Sequence, residues 1–169
     1  MFNVYDPYRV CFFGHREIEN IAENEKALER IVQELILRKE YIEFLVCREG
    51  EFDILAASVI KRVTKRLDRG NSELTLVLPY SKAEYRNNTN SYAEYFDNIE
   101  ICEVSENGHY KGAYQTRNRL MIKRSDLAVF CIQRESGGAF RSYGFAKRRA
   151  VSEHVLADCR VIELDPDKC

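Results

Sequence analysis

The residues best suited to chemistry stand just after short apolar runs. Residues 125–140 read SDLAVFCIQRESGGAF: the run from Leu127 to Ile132 breaks into Arg134-Glu135-Ser136 and then Gly137-Gly138, which open a helix-forming stretch. A helix N-terminus presents unpaired N–H groups and a partial positive charge. Glycine removes the side chain that would keep an anion away, so Ser136, Gly137 and Gly138 form a candidate phosphate cradle. Turn geometry alone also accounts for a glycine pair, and the GxGxxG fingerprint is absent. Gly14-His15-Arg16 follow an earlier apolar run, and Gly50 and Asp53 follow another. The His15 imidazole titrates near neutrality and suits either acid–base chemistry or a loop hydrogen bond. Asp53 stands where a helix begins, a favoured place for a capping carboxylate and one from which it can also accept from a ligand hydroxyl. Gly14 and Gly50 read equally as turn glycines. Arg117 shares a helical stripe with Tyr114 and Met121, so it points to packed structure or a cleft; it suits a bidentate phosphate or carboxylate contact, or a structural salt bridge. Arg119, Lys123 and Arg124 read as a solvated face.

Positioning these residues requires regular elements, and the chain alternates short apolar runs with amphipathic stretches. Residues 9–13 read as a buried strand stopped by Gly14. Between Asn24 and Lys39, the residues Leu28, Ile31, Val32, Leu35 and Ile36 make one helical face. Residues 43–47 read as a second strand. A helix starts near Asp53, carries Leu55, Val59, Val63 and Leu67 at steps of four, and stops at Arg69-Gly70. Residues 74–78 read as a third strand, closed by Pro79. The polar stretch 81–90 reads as an exposed loop or frayed helix, 91–96 as a short helix, 99–104 as a strand with one wet face, and Asn107-Gly108 as a turn. A helix over 113–124, a strand over 126–132, a helix over 138–150 and a short strand over 161–164 complete the chain. This alternation predicts an α/β fold: a Rossmann-like, doubly wound, mostly parallel sheet with helices on both faces. In such a sheet, ligands bind beyond the C-terminal strand ends, near the point where strand order reverses. With no internal repeat and no linker, residues 1–169 are expected to form a single domain.

Bulk composition narrows the setting. The 169 residues are 45% hydrophobic and 31% charged, with a net charge of −1. That balance gives no argument for membrane or nucleic acid as a partner. The opening residues MFNVYDPYRV lack a charged n-region followed by an apolar core, so no signal peptide is expected, and no apolar run approaches the roughly 18–20 residues of a spanning helix. Six cysteines without a CxxC pair read as buried free thiols in a reducing cytoplasm, and no metal site is expected. Charge is uneven along the chain. Between Lys111 and Arg149 the basic residues are opposed only by Asp126 and Glu135, which suits ordinary surface charge or a basic field around an anion site. Arg148-Arg149 is too short a run to argue for nucleic acid.

The segments VCFFGHR, GEFDILAA, YQTRNRLMIKRSDLAVF and SGGAFRSYGFAKRR, in this order, resemble the SLOG superfamily and within it the YpsA-like branch, over about Val10 to Leu164. The resemblance implies a Rossmann-like fold binding a nucleotide or nucleotide-derived ligand in the cleft formed by these loops. Arg117-Asn118-Arg119-Leu120-Met121…Ser125-Asp126 is similar to the RKxxM…SD pattern of the family's "lonely guy" phosphoribohydrolases, which implicates Arg117 and Asn118. Their PGGxGTxxE motif departs here: Arg141 stands at the threonine position and Gly144 at the glutamate position. A glycosidic cleavage needs a carboxylate near the sugar, so this departure favours a binding or sensing role over a hydrolase or transferase unless Glu51 or Asp53 substitutes. The expected partner is a nucleotide-like small molecule, with no further cofactor; a homo-oligomer is compatible with the sequence.

Overall fold

The apolar runs become strands because almost every residue in them is enclosed. A computed structural model describes residues 6–102 and 110–168. In chain order the elements are β1 (Tyr8–Gly14), α1 (Ile21–Arg38), β2 (Ile42–Val46), α2 (Glu51–Leu67), β3 (Ser72–Leu78), α3 (Ala83–Arg86), α4 (Thr89–Tyr95), β4 (Asn98–Ile101), α5 (Tyr110–Lys123), β5 (Leu127–Cys131), α6 (Gly137–Lys147), β6 (Ala150–Leu156) and β7 (Cys159–Leu164). The predicted turn at Asn107-Gly108, the end of the strand predicted over 99–104, and Cys169 lie outside the described residues.

The strands form one seven-stranded sheet in the order β4-β3-β2-β1-β5-β7-β6. The first five are parallel, while β7 runs antiparallel to β5 and β6 antiparallel to β7. From β1 the chain winds outward through β2, β3 and β4, then returns to β5 on the other side of β1. Strand order therefore reverses between β1 and β5, where Gly14 lies opposite Cys131.

The two-residue alternation of each strand feeds two separate cores. Val10, Phe12, Phe44, Val46, Leu74 and Leu76 pack with the apolar stripes of α1 and α2. Cys11, Phe13, Leu45 and Cys47 face the opposite way and pack with Met121 and Ile122 of α5 and Ala139, Tyr143 and Ala146 of α6. Helices thus cover both faces of the sheet, as the periodicity predicts. Phe12, Phe44, Phe52 and Phe130 are completely enclosed, each contributing roughly 1.5–3 kcal/mol of apolar transfer energy.

Of the two alternatives for 81–90, the helical one is present, and one expectation changes. The polar stretch 81–90 contains the one-turn helix α3 and the start of α4. The helix expected over 138–150 ends at Lys147, and residues 150–156 form an unforeseen strand, β6, joined to β7 through Ala157, whose φ is 54°. Among the described residues, no helix is long and apolar enough to cross a membrane.

Candidate functional site

A cleft of about 540 Å³ opens at the C-terminal ends of β1, β2 and β5, at the point of strand-order reversal. Three loops and the facing side of α5 build it. The sheet end contributes Phe13, Gly14, His15 and Arg16 from β1, and Cys47, Glu49 and Asp53 from the β2–α2 connection. The opposite wall is Arg134, Ser136, Gly137 and Gly138 with Arg141, and α5 supplies Tyr114, Gln115, Arg117 and Asn118.

Of the residues expected to bind ligand, Gly14, His15, Arg16, Asp53, Arg117, Asn118, Ser136, Gly137 and Gly138 all line this one cleft. Gly50 does not, which corrects the expectation for it. A Cβ there would lie 2.3 Å from the Arg16 Cα, so its glycine is required by protein backbone. Gly14 lines the cleft but also has a packing reason, because a Cβ would lie 2.2 Å from Phe52 Cγ. Gly137 differs: nothing lies within 4 Å of a Cβ built on it, and its φ is +89°. Here glycine is needed for backbone conformation at the first residue of α6. Ser136 is the N-cap residue of α6 and is exposed, with no side-chain cap hydrogen bond. Gln115 Nε2 donates to the Gly138 carbonyl at 3.3 Å and ties the glycine turn to α5.

Arg117 is buried, and its guanidinium is largely committed. Nη1 donates to Glu49 Oε1 at 2.6 Å and to the Val77 carbonyl at 3.3 Å, and Nε donates to Asn118 Oδ1 at 3.0 Å. The salt-bridge alternative read for Arg117 is thus present; Nη2 has no protein partner among the described residues. Asn118 in turn donates from Nδ2 to Ser142 Oγ at 2.9 Å, bracing α5 against α6. Arg16 and Arg141 are exposed and carry no side-chain partner among the described residues.

Glu49 is the site residue that sequence reasoning did not select. Its signal was its place at the exit of β2, four residues before Asp53. Glu51, considered as a substitute carboxylate, is excluded from the cleft: it is exposed and accepts from the Ile18 amide at 2.9 Å. Asp53 is the third residue of α2, and its Oδ2 accepts from the Glu49 amide at 2.8 Å, holding the loop that enters the helix. Burial, and then the negative charge of Glu49, push the Asp53 carboxyl up to about 7. The floor of the cleft thus combines a firmly cationic arginine, its carboxylate partner, and a second carboxyl that exchanges its proton near neutrality.

His15 is also buried and is held by its own loop. Its Nε2 accepts from the amides of Gln133 at 3.2 Å and Arg134 at 3.3 Å. Burial, and then the Arg134 charge, lower its pKa. The imidazole is therefore neutral, with its proton on Nδ1, and it ties β1 to the loop leading into Ser136. Tyr114, 3.4 Å from the Tyr80 hydroxyl, has its own hydroxyl pKa lowered chiefly by that hydrogen bond. Burial pushes the Cys47 thiol well up, so it stands protonated. Among the described residues, no group of three or more His, Cys, Asp or Glu side chains could hold a metal ion.

No protein-family model and no curated protein sequence matches the chain. Among solved structures, the X-ray structure of DNA processing protein A (DprA) from Streptococcus pneumoniae is similar, with a TM-score of 0.58 and 12% identity. The match covers 83% of this chain and 47% of that one, so this chain spans about half the neighbour's length. At that identity the likeness concerns the fold alone, which is a Rossmann-like α/β fold.

Proposed function

We propose that the chain is a cytoplasmic binding or sensing protein for a nucleotide or nucleotide-derived anion. The phosphate lies against Ser136, Gly137 and Gly138, with Arg141 and Arg16 free to approach it and Arg117 contributing through Nη2. The carboxylates of Glu49 and Asp53 accept from sugar hydroxyls on the opposite side. The observation carrying this reading is the N-terminus of α6, opened by glycine and left without a side-chain cap, in the same cleft as two uncommitted arginines. The order of the four motifs supports the YpsA-like branch of the SLOG superfamily. Isothermal calorimetry with mononucleotides, dinucleotides and nucleoside diphosphate sugars tests the reading. Saturable binding that disappears in Gly137→Asp supports it; a folded protein that binds none of them refutes it.

The Asp53 carboxyl favours a second reading, an N-glycoside hydrolase or transferase. Gly144, at the position of the family glutamate, does not line the cleft. In this reading one carboxyl of Asp53 and Glu49 protonates the departing base as the glycosidic bond breaks, the other's charge stabilises the sugar cation, and water or an acceptor hydroxyl then adds to that cation, returning its proton to the first carboxyl. Free base released from nucleoside monophosphates by the wild type and not by Asp53→Asn would establish this activity.

A further inference from the structure

The two helices on the cleft side of the sheet carry no acidic residue at all. α5 reads YKGAYQTRNRLMIK and α6 reads GGAFRSYGFAK. On the other face, charges pair: Arg62 contacts Glu25 at 2.9 Å and Glu29 at 3.5 Å, and Arg66 contacts Glu29 at 3.0 Å. The net charge of −1 therefore conceals a segregated surface.

On the α5–α6 face, Arg119, Arg148 and Arg149 converge on a single half-buried ring, Phe145, with guanidinium carbons 5.6, 5.8 and 5.4 Å from its centroid. No guanidinium of the three, nor that of Arg141, has a carboxylate or hydrogen-bond partner among the described residues. Arg149 is buried for most of its length, with a relative exposure of 9%, and lays its guanidinium over the Phe145 ring. Nearby Lys147 and Arg160 do share a carboxylate, Glu153, at 3.5 and 3.9 Å. Arg141, Phe145 and Arg148 fall at i, i+4 and i+7, a single stripe along α6 about 10 Å long that begins at the cleft mouth. On α5, Arg119 lies one turn beyond Gln115, another cleft residue. Both helices thus continue the cleft as a line of unpaired guanidinium groups around an aromatic ring.

We propose that this α5–α6 face binds single-stranded nucleic acid, the phosphodiester backbone running over Arg141, Arg119 and Arg148. Guanidinium planes pair with phosphate and stack on bases, and an aromatic ring among them suits unpaired bases. A duplex hides its base faces, and the carboxylate side chains of an acidic peptide offer no ring to stack on Phe145. The proposal is independent of what small molecule the cleft holds.

Fluorescence anisotropy of the full chain with labelled DNA and RNA single strands of roughly 12 nucleotides, over a salt series, tests it. Binding of either strand is expected, with log affinity falling linearly against log salt. Arg119→Gln/Arg148→Gln should weaken it at least about tenfold, with melting temperature and calorimetric mononucleotide binding unchanged. Phe145→Leu, which keeps the apolar packing, should weaken binding without altering the salt slope. Equal affinity of the double variant, tighter binding of a duplex of the same length, or displacement by poly-glutamate as efficient as by unlabelled strand overturns the proposal. Failure of the mononucleotide arm alone counts against the cleft reading, since the strand arm is scored separately.

Discussion

Arg117 Nη1 and Glu49 Oε1 lie 2.6 Å apart at the floor of the cleft, with side chains only 3% and 12% exposed. The pair joins α5 to the loop leaving β2. Removing one partner of such a pair leaves an uncompensated charge in a poorly hydrated place, at a cost of about 3–5 kcal/mol. Arg117→Met is expected to lower unfolding free energy in urea by about 3 kcal/mol. Adding Glu49→Gln should recover a measurable part of that loss, because the stranded carboxylate is then gone. A double variant as unstable as the single one would mean that the guanidinium acts through packing or through its bonds to Val77 and Asn118.

Asp53 makes stability depend on pH with an unusual sign. Its carboxyl sits at about 7 in the folded chain, against about 3.9 for an unfolded aspartate. Between these values the folded protein holds a proton that the unfolded chain has released. Its contribution is complete below about pH 4 and is lost as pH rises towards 7. Asp53→Asn keeps an oxygen to accept from the Glu49 amide and cannot ionise. At pH 8 it should be more stable than the wild type by about 1–3 kcal/mol, and the difference should shrink at pH 5. Chemical denaturation at the two pH values checks this, and equal differences at both would contradict it.

The glycines separate by mechanism, so three alanine substitutions should diverge. At Gly14 a Cβ would sit 2.2 Å from Phe52 Cγ, in the centre of the core. Gly14→Ala should cost about 1–3 kcal/mol through overpacking. At Gly137 there is space, but φ is +89°, and Gly137→Ala should cost about 1–2 kcal/mol from backbone strain. Gly144 lies inside α6 with open space around its Cα. Gly144→Ala should stabilise by about 0.5–1 kcal/mol through helix propensity. Thermal unfolding ranks all three, and a destabilised Gly144→Ala would reveal a contact that the fold does not show.

The central strands were legible because residues enclosed on both faces read as unbroken apolar runs. Ile42 to Val46 is buried at every position. β6 was not legible for the opposite reason. As an edge strand it leaves Val151, Ser152, His154 and Val155 exposed, and its polar mixture carries neither a core run nor a clean alternation. The loops of the cleft were legible from glycine at the strand exits, together with the general rule for ligand position in such sheets. The partner of Arg117 was not, since Glu49 lies 68 residues away in sequence. Glu49, Glu51 and Asp53 are equally acidic as letters. Only the folded loop separates them: Gly50 packs on the Arg16 backbone, Glu51 accepts from the Ile18 amide, and Glu49 and Asp53 line the cleft.

His15 links acidity to the loop that enters α6. Its Nε2 accepts from the amides of Gln133 and Arg134, two residues ahead of Ser136. Protonation destroys that acceptor and places a cation beside Arg134. With its folded pKa below the ordinary value of 6.5, the unfolded chain takes up the proton first as pH falls. The stability His15 provides is therefore complete above about pH 6.5 and is lost as pH drops through the lower folded value. This slope is opposite to that of Asp53, so it is best measured in the Asp53→Asn background. There, His15→Gln should remove the acid-side decline near pH 6. Long-range 15N NMR at pH 7.5 should show a protonated Nδ1 and a bare Nε2. A proton on Nε2 would break both loop contacts on paper and refute this account of the loop.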